Sequence, residues 1–335
     1  MITIHIGLPR TASTYLQEKI FKNTHQQRYL PTTSEGSRVS RLLLTDNTDS
    51  IYKLIYLIKK RQNSKNNQNA IISAEDLSVK LSKNKTTSLI KSFFNQNPRE
   101  FNIDKKGNYK NFLINEVQIL NSLSIANKFY KNITGKNLKV ILGIRNQQKL
   151  LPSLYSANIF NRLSSSQKQF SKIVNIYTKS KCEFMQFDKW FSKFSQILGP
   201  ENILIYESDA INEKILEKII LFSGGSWPTT SFTSEKINMR NKNDNKWQIK
   251  PNKIFRNIVK SIFSPVKRGV LFRYLYRISL ILDSFLSIIT FSEKYITLED
   301  TQKNQIKKMF NESNTRFLNL KKKHPNQILI NELNW

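Results

Sequence analysis

Residues 2–15, ITIHIGLPRTASTY, decide the fold class because they join an apolar run to a helix-compatible segment through a short polar turn. The run from Ile2 to Gly7 ends in glycine, which predicts a buried strand. From Thr11 to Phe21 the apolar side chains fall at positions compatible with a helix. The stretch is therefore predicted to form the first strand, turn and helix of a larger sheet.

The same alternation continues along the chain. Strands are predicted at 70–72, 138–144 and 203–206, and helices at 51–60, 116–131, 185–198 and 213–223, with one more helix beginning over 152–160. Alternating strands and helices are typical of a parallel sheet. We expect an α/β fold in three layers, with a doubly wound parallel sheet flanked by helices.

The turn after Gly7 has the chemistry of an anion site. A turn that leads into a helix presents unpaired backbone N–H groups and can hold a phosphate without a metal. Further donors are the hydroxyls of Thr11, Ser13 and Thr14. Against the P-loop pattern G-x-x-x-x-G-K-[ST], Gly7 and Thr14 fit, but Ala12 replaces the second glycine and Ser13 the lysine. This disfavours a magnesium-dependent kinase and leaves Arg10 as the cation of the turn.

GLPRTASTY resembles the 5′-phosphosulfate loop of the sulfotransferases that use 3′-phosphoadenosine 5′-phosphosulfate (PAPS), commonly written P-K-S-G-T-T-W. The matching positions are Pro9, Arg10, Thr11, Ser13, Thr14 and Tyr15. The resemblance implies a P-loop-like fold in which these residues and the backbone of Ala12 bind the nucleotide, with Tyr15 stacked on the adenine or packed in the core. Arg10 stands for the usual lysine and Ala12 for the usual glycine. Because arginine keeps its proton, the implied role of Arg10 is electrostatic stabilisation.

A second match to the same family follows the strand at 138–144. Arg145 ends this strand and Ser153 comes eight residues later, in RNQQKLLPSLY, like the family's 3′-phosphate-binding signature. An arginine and a serine that converge on one phosphate give charge-assisted hydrogen bonds. Alone, Arg145 would suit a solvated surface charge and Ser153 a residue near a helix start. Together they predict the 3′-phosphate site of PAPS.

Glu75 is the predicted general base. It lies in SAEDLS just beyond the strand at 70–72, on the edge where ligands bind in open α/β sheets. The family implies a base that deprotonates the acceptor, a histidine in many members and a glutamate in others, and this chain has only three histidines. The alternative is that Glu75 complements a helix dipole. His25 and Glu35 are further candidates.

A late loop, KINMRN at 236–241, falls where a loop of the family often closes over the nucleotide. Asn238 and Arg240 are candidates for contact with the 3′-phosphate or the adenine. The alternative is a polar surface loop in a basic chain.

The formal net charge is +30, which indicates a polyanionic partner. Lysine and asparagine are abundant throughout the chain, however, so the charge does not define one patch. No RNP-type aromatic segment or zinc-finger spacing is present, and we expect no specific nucleic-acid partner. One cysteine, Cys182, excludes an internal disulfide framework, and the few histidines disfavour a metal centre. We expect no metal cofactor.

The sequence pattern changes after residue 250. We expect a catalytic domain over 1–250 and a basic helical C-terminal extension over 251–335. Within it, VLFRYLYRISLILDSFLSIITF is apolar but interrupted by Arg273, Arg277 and Asp283, which argues against a membrane span. The stretch at 260–292 predicts either a helix pair packed on the core or a basic surface that contacts an anionic membrane. No secretory signal is visible, so we expect the cytoplasm, with peripheral contact to the inner face of the membrane as the second reading.

The predicted function is transfer of a sulfuryl group from PAPS to a hydroxyl or amine of an acceptor, with a carbohydrate as the favoured class. Three alternatives remain open. They are a P-loop phosphotransferase, a non-catalytic polyanion-binding protein and a sulfotransferase fold without activity.

Overall fold

A six-stranded parallel sheet forms the centre of the computed structural model. The structure describes residues 1–7, 11–12, 15–22, 24, 27–30, 52, 56, 69–73, 116–156, 166–179, 185–226, 246–249, 255, 259, 270–289, 295–332 and 335. The strands of this sheet are β1 (Ile2–Gly7), β2 (Gln27–Leu30), β3 (Asn69–Ser73), β4 (Lys139–Ile144), β5 (Ile203–Glu207) and β8 (Ile328–Leu329). They lie in the order β2-β3-β1-β4-β5-β8, and each neighbouring pair is parallel. The predicted parallel α/β fold is confirmed.

The helices of the described residues are α1 (Glu116–Thr134), α2 (Gln147–Ser156), α3 (Gln167–Lys179), α4 (Phe187–Leu198), α5 (Glu213–Phe222), α6 (Val270–Ile289) and α7 (Asp300–Lys323). The helix expected from Thr11 is a π-helical segment, Leu16–Phe21. Of the helix predicted at 51–60, Tyr52 and Tyr56 are described, and both are helical. Among the described helices, none combines the length and the apolar character that crossing a membrane requires.

Helix α2 begins earlier than the prediction over 152–160, and the reason is a cap. The Asn146 side chain accepts a hydrogen bond from the backbone N–H of Gln148 at 2.9 Å, and its carbonyl accepts from Leu150 at 2.8 Å. Asparagine at this position satisfies N–H groups that a helix start leaves unpaired. Pro152 therefore lies inside the helix and does not mark its start.

The sheet is covered on both faces because alternate strand residues point in opposite directions. On one face, apolar side chains of all the inner strands pack with α1, α2, α3, α4 and α7. On the other face, Ile71, Ile141 and Leu204 pack with the π-helical segment and α5. This gives the predicted three layers.

The carboxyl ends of β1 and β4 lie side by side, since Gly7 pairs with Gly143. The chain fills the sheet on the β3 side of β1 first and then crosses to β4 on the other side. Open α/β sheets bind ligands outside the carboxyl ends of strands at such a switch point. The turn after Gly7 and Arg145 after β4 both start from this edge.

The segment 251–335 is not only the helical extension that the sequence predicted. Strand β7 (Tyr295–Thr297) pairs with β6 (Lys246–Gln248) in an antiparallel ladder, and β8 joins the main sheet beside β5. Apolar side chains of α7 also enter the core on one face of the sheet. The prediction missed β8 because a run of two residues, Ile328 and Leu329, is too short to show a strand period.

Helix α7 is fastened to α4 by a buried carboxylate. Asp188 accepts a hydrogen bond from Arg316 Nε at 2.7 Å and another from the Ser313 hydroxyl. This contact raises the pKa of Arg316, first through the hydrogen bond and then through the negative charge of Asp188. A second buried carboxylate, Glu207 at the end of β5, accepts from the backbone of Asn331 and from the Trp335 indole. The final residues are thus tied to the sheet.

Candidate functional site

The backbone is left-handed at Ala12, five residues after the end of β1. Ala12 has φ 59°, and it is the one residue other than glycine with positive φ in the described part of the chain. Its carbonyl accepts a hydrogen bond from the Leu16 N–H at 3.1 Å. Left-handed backbone costs a residue with a Cβ on the order of 1 kcal/mol, and glycine adopts it freely. This geometry gives a physical reason for the glycine that the P-loop pattern and the sulfotransferase loop have at this position.

A chain of hydrogen bonds, here called the buried relay, lies under this turn. It runs from Gln17 Nε2 to Ser73 Oγ at 3.0 Å, from Ser73 Oγ to His5 Nδ1 at 2.5 Å and from His5 Nε2 to Tyr206 Oη at 3.0 Å. The Tyr206 hydroxyl then donates to the Thr11 carbonyl at 2.9 Å. Ser73, His5, Tyr206 and Thr11 are fully buried. The relay therefore anchors the turn from below.

Neutral His5 gives the relay one consistent direction. Burial lowers the pKa of His5 to about 3, so its ring carries one proton at neutral pH. Because the Tyr206 hydroxyl donates to Thr11, it accepts from His5, which assigns the ring proton to Nε2. Nδ1 is then an acceptor for the Ser73 hydroxyl, and Ser73 accepts from the Gln17 amide. In this assignment, each donor group of the buried relay has one acceptor within the relay.

Gly143 leaves the space that the relay needs. A Cβ at this position would lie 2.7 Å from Cζ of Tyr206 and 2.8 Å from Oγ1 of Thr11. Both distances are far inside ordinary contact. The strand register places Gly143 opposite Tyr206 on β5 and opposite Gly7 on β1. The absence of a side chain thus allows Tyr206 to reach the turn.

Arg145 and Ser153, predicted as a pair, are in contact. Arg145 Nη1 donates to Ser153 Oγ at 3.0 Å. The guanidinium also binds Asp209 in a bidentate pair, from Nε at 3.0 Å and from Nη2 at 2.9 Å. Asp209 lies in a short turn after β5, and Lys149 Nζ is 3.8 Å from its carboxylate. Three neighbouring segments therefore meet at the carboxyl edge of the sheet.

Asp209 fixes the plane of the guanidinium without using all of its donors. A guanidinium has five N–H groups, and the contacts with Asp209 and Ser153 occupy three of them. One N–H on each terminal nitrogen has no acceptor among the described residues. The Arg145 side chain is 22% exposed, so the guanidinium is not sealed inside the protein. A bidentate partner such as a phosphate oxygen pair suits this geometry.

Tyr15 is partly buried and packs against the apolar cluster formed with Leu16 and Ile20. Burial raises the pKa of its hydroxyl, and the charge of Lys19 acts in the opposite direction. This contact agrees with the core-packing reading. Stacking of Tyr15 on an adenine stays a prediction.

Other predicted site residues lie outside the described residues. They are Pro9, Arg10, Ser13, Thr14, Glu75, Asn238 and Arg240, together with the further candidates His25 and Glu35.

Sequence reasoning missed the residues that support the turn. His5 has a visible signal, since it is a polar residue in the middle of the apolar run ITIHIG. Ser73, Tyr206 and Asp209 have none that can be read locally. The roles of Ser73 and Tyr206 depend on strand register, since His5 pairs with Ser73 across β1 and β3 and Gly143 pairs with Tyr206 across β4 and β5. The role of Asp209 depends on the short turn after β5.

Comparison of the chain with protein-family models, with curated proteins and with solved structures gives no match. The reading of the site therefore depends on its own residues and on the resemblance of its two motifs.

Proposed function

We propose that this protein is a PAPS-dependent sulfotransferase that transfers a sulfuryl group to a hydroxyl or amine of an acceptor, with a carbohydrate as the favoured acceptor class. The observation that carries the proposal is the hydrogen bond between Arg145 and Ser153 at 3.0 Å. These two residues are the pair that the resemblance assigns to one phosphate. Their contact, with two guanidinium N–H groups left over, supports a phosphate site.

The position of the two motifs supports one nucleotide site. The turn that resembles the 5′-phosphosulfate loop follows β1, and Arg145 follows β4, the neighbouring strand. Neighbouring strands are about 5 Å apart, so groups at their ends can reach the two ends of one nucleotide. The left-handed Ala12 and the relay beneath Thr11 add a fixed backbone on the 5′ side.

In the proposed reaction, the acceptor oxygen or nitrogen attacks the sulfur of PAPS in line with the bond to the 5′-phosphate. A bond from the acceptor to sulfur forms, and the bond from sulfur to the phosphate oxygen breaks with its electron pair left on the phosphate. Glu75 takes the acceptor proton and Arg10 stabilises the charge on the departing adenosine 3′,5′-bisphosphate. Positioning and electrostatics supply most of the rate enhancement in such group transfers.

Calorimetric titration with adenosine 3′,5′-bisphosphate, 5′-AMP and magnesium-ATP tests the nucleotide site. We expect binding that requires the 3′-phosphate and falls about 10- to 100-fold in Arg145→Ala, since hydrogen bonds to charged groups contribute about 1.5–3 kcal/mol. Ser153→Ala should weaken binding less, because it removes a neutral contact. Arg273→Ala removes the same charge at an exposed position of α6, outside both motifs, and serves as the control.

Three results would reject the proposal. Equal affinity for 5′-AMP and the bisphosphate would show that the protein has no 3′-phosphate site. Preference for magnesium-ATP would favour a phosphotransferase. Equal losses in Arg145→Ala and Arg273→Ala, with steep weakening by salt, would favour non-specific polyanion binding.

Turnover with labelled PAPS and a panel of acceptors then tests the chemistry. Glu75→Gln should retain bisphosphate binding and lose transfer. A protein that binds the bisphosphate but labels no acceptor would be the fold without activity. The cytoplasmic location stays a prediction.

A further inference from the structure

Helix α6 buries two polar residues and exposes several large apolar ones. Ser279 and Asp283, four residues apart, are each 1% exposed. The Asp283 carboxylate accepts a hydrogen bond from the Phe255 backbone N–H at 2.9 Å, and the Ser279 hydroxyl donates to the Tyr276 carbonyl. Helices of globular proteins usually bury an apolar stripe and expose the polar side. In α6, two polar residues face the protein and a line of large apolar side chains is exposed.

The outward side carries a continuous apolar stripe. Its members are Leu271, Tyr274, Ile281, Phe285 and Ile288, and each is between 58% and 71% exposed. Residues three, four and seven positions apart lie on one side of a helix, so Tyr274, Ile281, Phe285 and Ile288 form one line. Exposed apolar patches of this kind mark interaction sites. The stripe is therefore a candidate interaction surface.

The charges beside the stripe identify the chemistry of its partner. Arg273 and Arg277 are exposed and four residues apart, so they lie on the same side of the helix next to the stripe. The one acidic residue of α6, Asp283, is buried against the protein. The outward side of α6 is thus apolar and positive without an opposing negative charge.

We propose that α6 docks on an anionic lipid membrane, with its axis along the surface and the apolar stripe in the boundary between headgroups and acyl chains. The combination of an apolar side with flanking arginines is the pattern of helices that lie in this interface. At about 1.5 Å per residue, the helix offers a contact roughly 30 Å long. A second copy of the chain fits less well, since each copy carries a formal charge of +30.

Co-sedimentation with lipid vesicles tests the proposal and does not involve the nucleotide site. The full chain is mixed with vesicles of phosphatidylcholine alone or with about one third phosphatidylserine, at low and at high salt. We expect strong binding to the mixed vesicles, weak binding to the neutral ones and loss of the difference at high salt.

Two double variants separate the contribution of the apolar stripe from that of the two arginines. Ile281→Ser with Phe285→Ser should reduce binding at least about 10-fold, because two large apolar groups no longer enter the membrane. Arg273→Ala with Arg277→Ala should reduce binding to the mixed vesicles about 10- to 30-fold and leave neutral vesicles unaffected. The controls lie on α5, where Leu221→Ser removes one exposed apolar side chain and Lys214→Ala with Lys218→Ala removes two exposed positive charges.

All four side chains in the variants are exposed, so circular dichroism and the unfolding midpoint should match the wild type. Should the serine variant misfold, the alanine pair still tests the proposal. Equal binding to both vesicle types, or losses in the α5 controls as large as those in α6, would overturn it. A dimer in light scattering that the serine variant dissociates, without vesicle binding, would assign the stripe to a second copy instead.

Discussion

Replacing Tyr206 by phenylalanine removes one hydroxyl from the buried relay and keeps the aromatic ring. The hydroxyl is the acceptor for His5 Nε2–H at 3.0 Å and the donor to the Thr11 carbonyl at 2.9 Å. An unsatisfied buried donor costs about 1–3 kcal/mol, and the lost hydrogen bond to Thr11 adds about 1 kcal/mol. A proton shift to Nδ1 of His5 would not remove the cost, because it leaves Nε2 as an unpaired acceptor. We therefore expect the free energy of unfolding to fall by about 2–4 kcal/mol.

Urea unfolding followed by far-ultraviolet circular dichroism measures this change. Tyr274→Phe is the control, since Tyr274 is 63% exposed and should change stability by less than about 0.5 kcal/mol. Bisphosphate affinity should fall with Tyr206→Phe as well, because the turn at Thr11 loses its anchor. If Tyr206→Phe were as stable as the control, the relay would not support the turn and the reasoning would be refuted.

Three further predictions follow from the same geometry. Ala12→Gly should raise the free energy of unfolding by about 1 kcal/mol because it relieves left-handed backbone. Ala210→Gly, at ordinary φ, should lower the free energy of unfolding; a lower value in both variants would contradict the prediction. Gly143→Ala should lower the free energy of unfolding by about 1–3 kcal/mol in the same urea assay, because the added Cβ overpacks against Tyr206. An unchanged free energy of unfolding would show that the turn can shift to accept the Cβ. The pKa of His5 is lowered to about 3 in the folded protein and is near 6.5 in the unfolded chain, so the unfolded chain binds more protons between these pH values. The free energy of unfolding should therefore decrease as pH falls below about 6.5, by up to about 1.4 kcal/mol per pH unit. His5→Asn should show a weaker pH dependence in unfolding titrations.

The sequence predicted the elements that have a clear local pattern. The apolar runs at 2–7 and 138–144 identify β1 and β4. The resemblance to the sulfotransferase signature implied that Arg145 and Ser153 lie close together, and the two are hydrogen-bonded. The start of α2 was wrong because Pro152 is a more visible signal than the capping Asn146. The relay could not be predicted, since His5 and Tyr206 are 201 positions apart and meet only through the register of three strands.

The contact between Asp209 and Arg145 could not be predicted from the sequence either. A sequence motif identifies Arg145, but it does not show which carboxylate will hold the guanidinium plane. The bidentate pair depends on a short turn after β5, 64 positions along the chain. Such partners determine how many donors an arginine has left for a phosphate, and they require the folded geometry.

The place of β8 beside β5 has a consequence for biosynthesis. Ile205 pairs with Ile328, so the outer edge of β5 stays unpaired during synthesis until more than a hundred further residues have been made. An unpaired parallel edge exposes backbone N–H and C=O groups that can pair with another chain. Distant pairings of this kind also slow folding, because loop closure precedes the contacts that reward it. Chains in which residues 328–329 have not yet paired with β5 should therefore be more prone to aggregation than the folded protein.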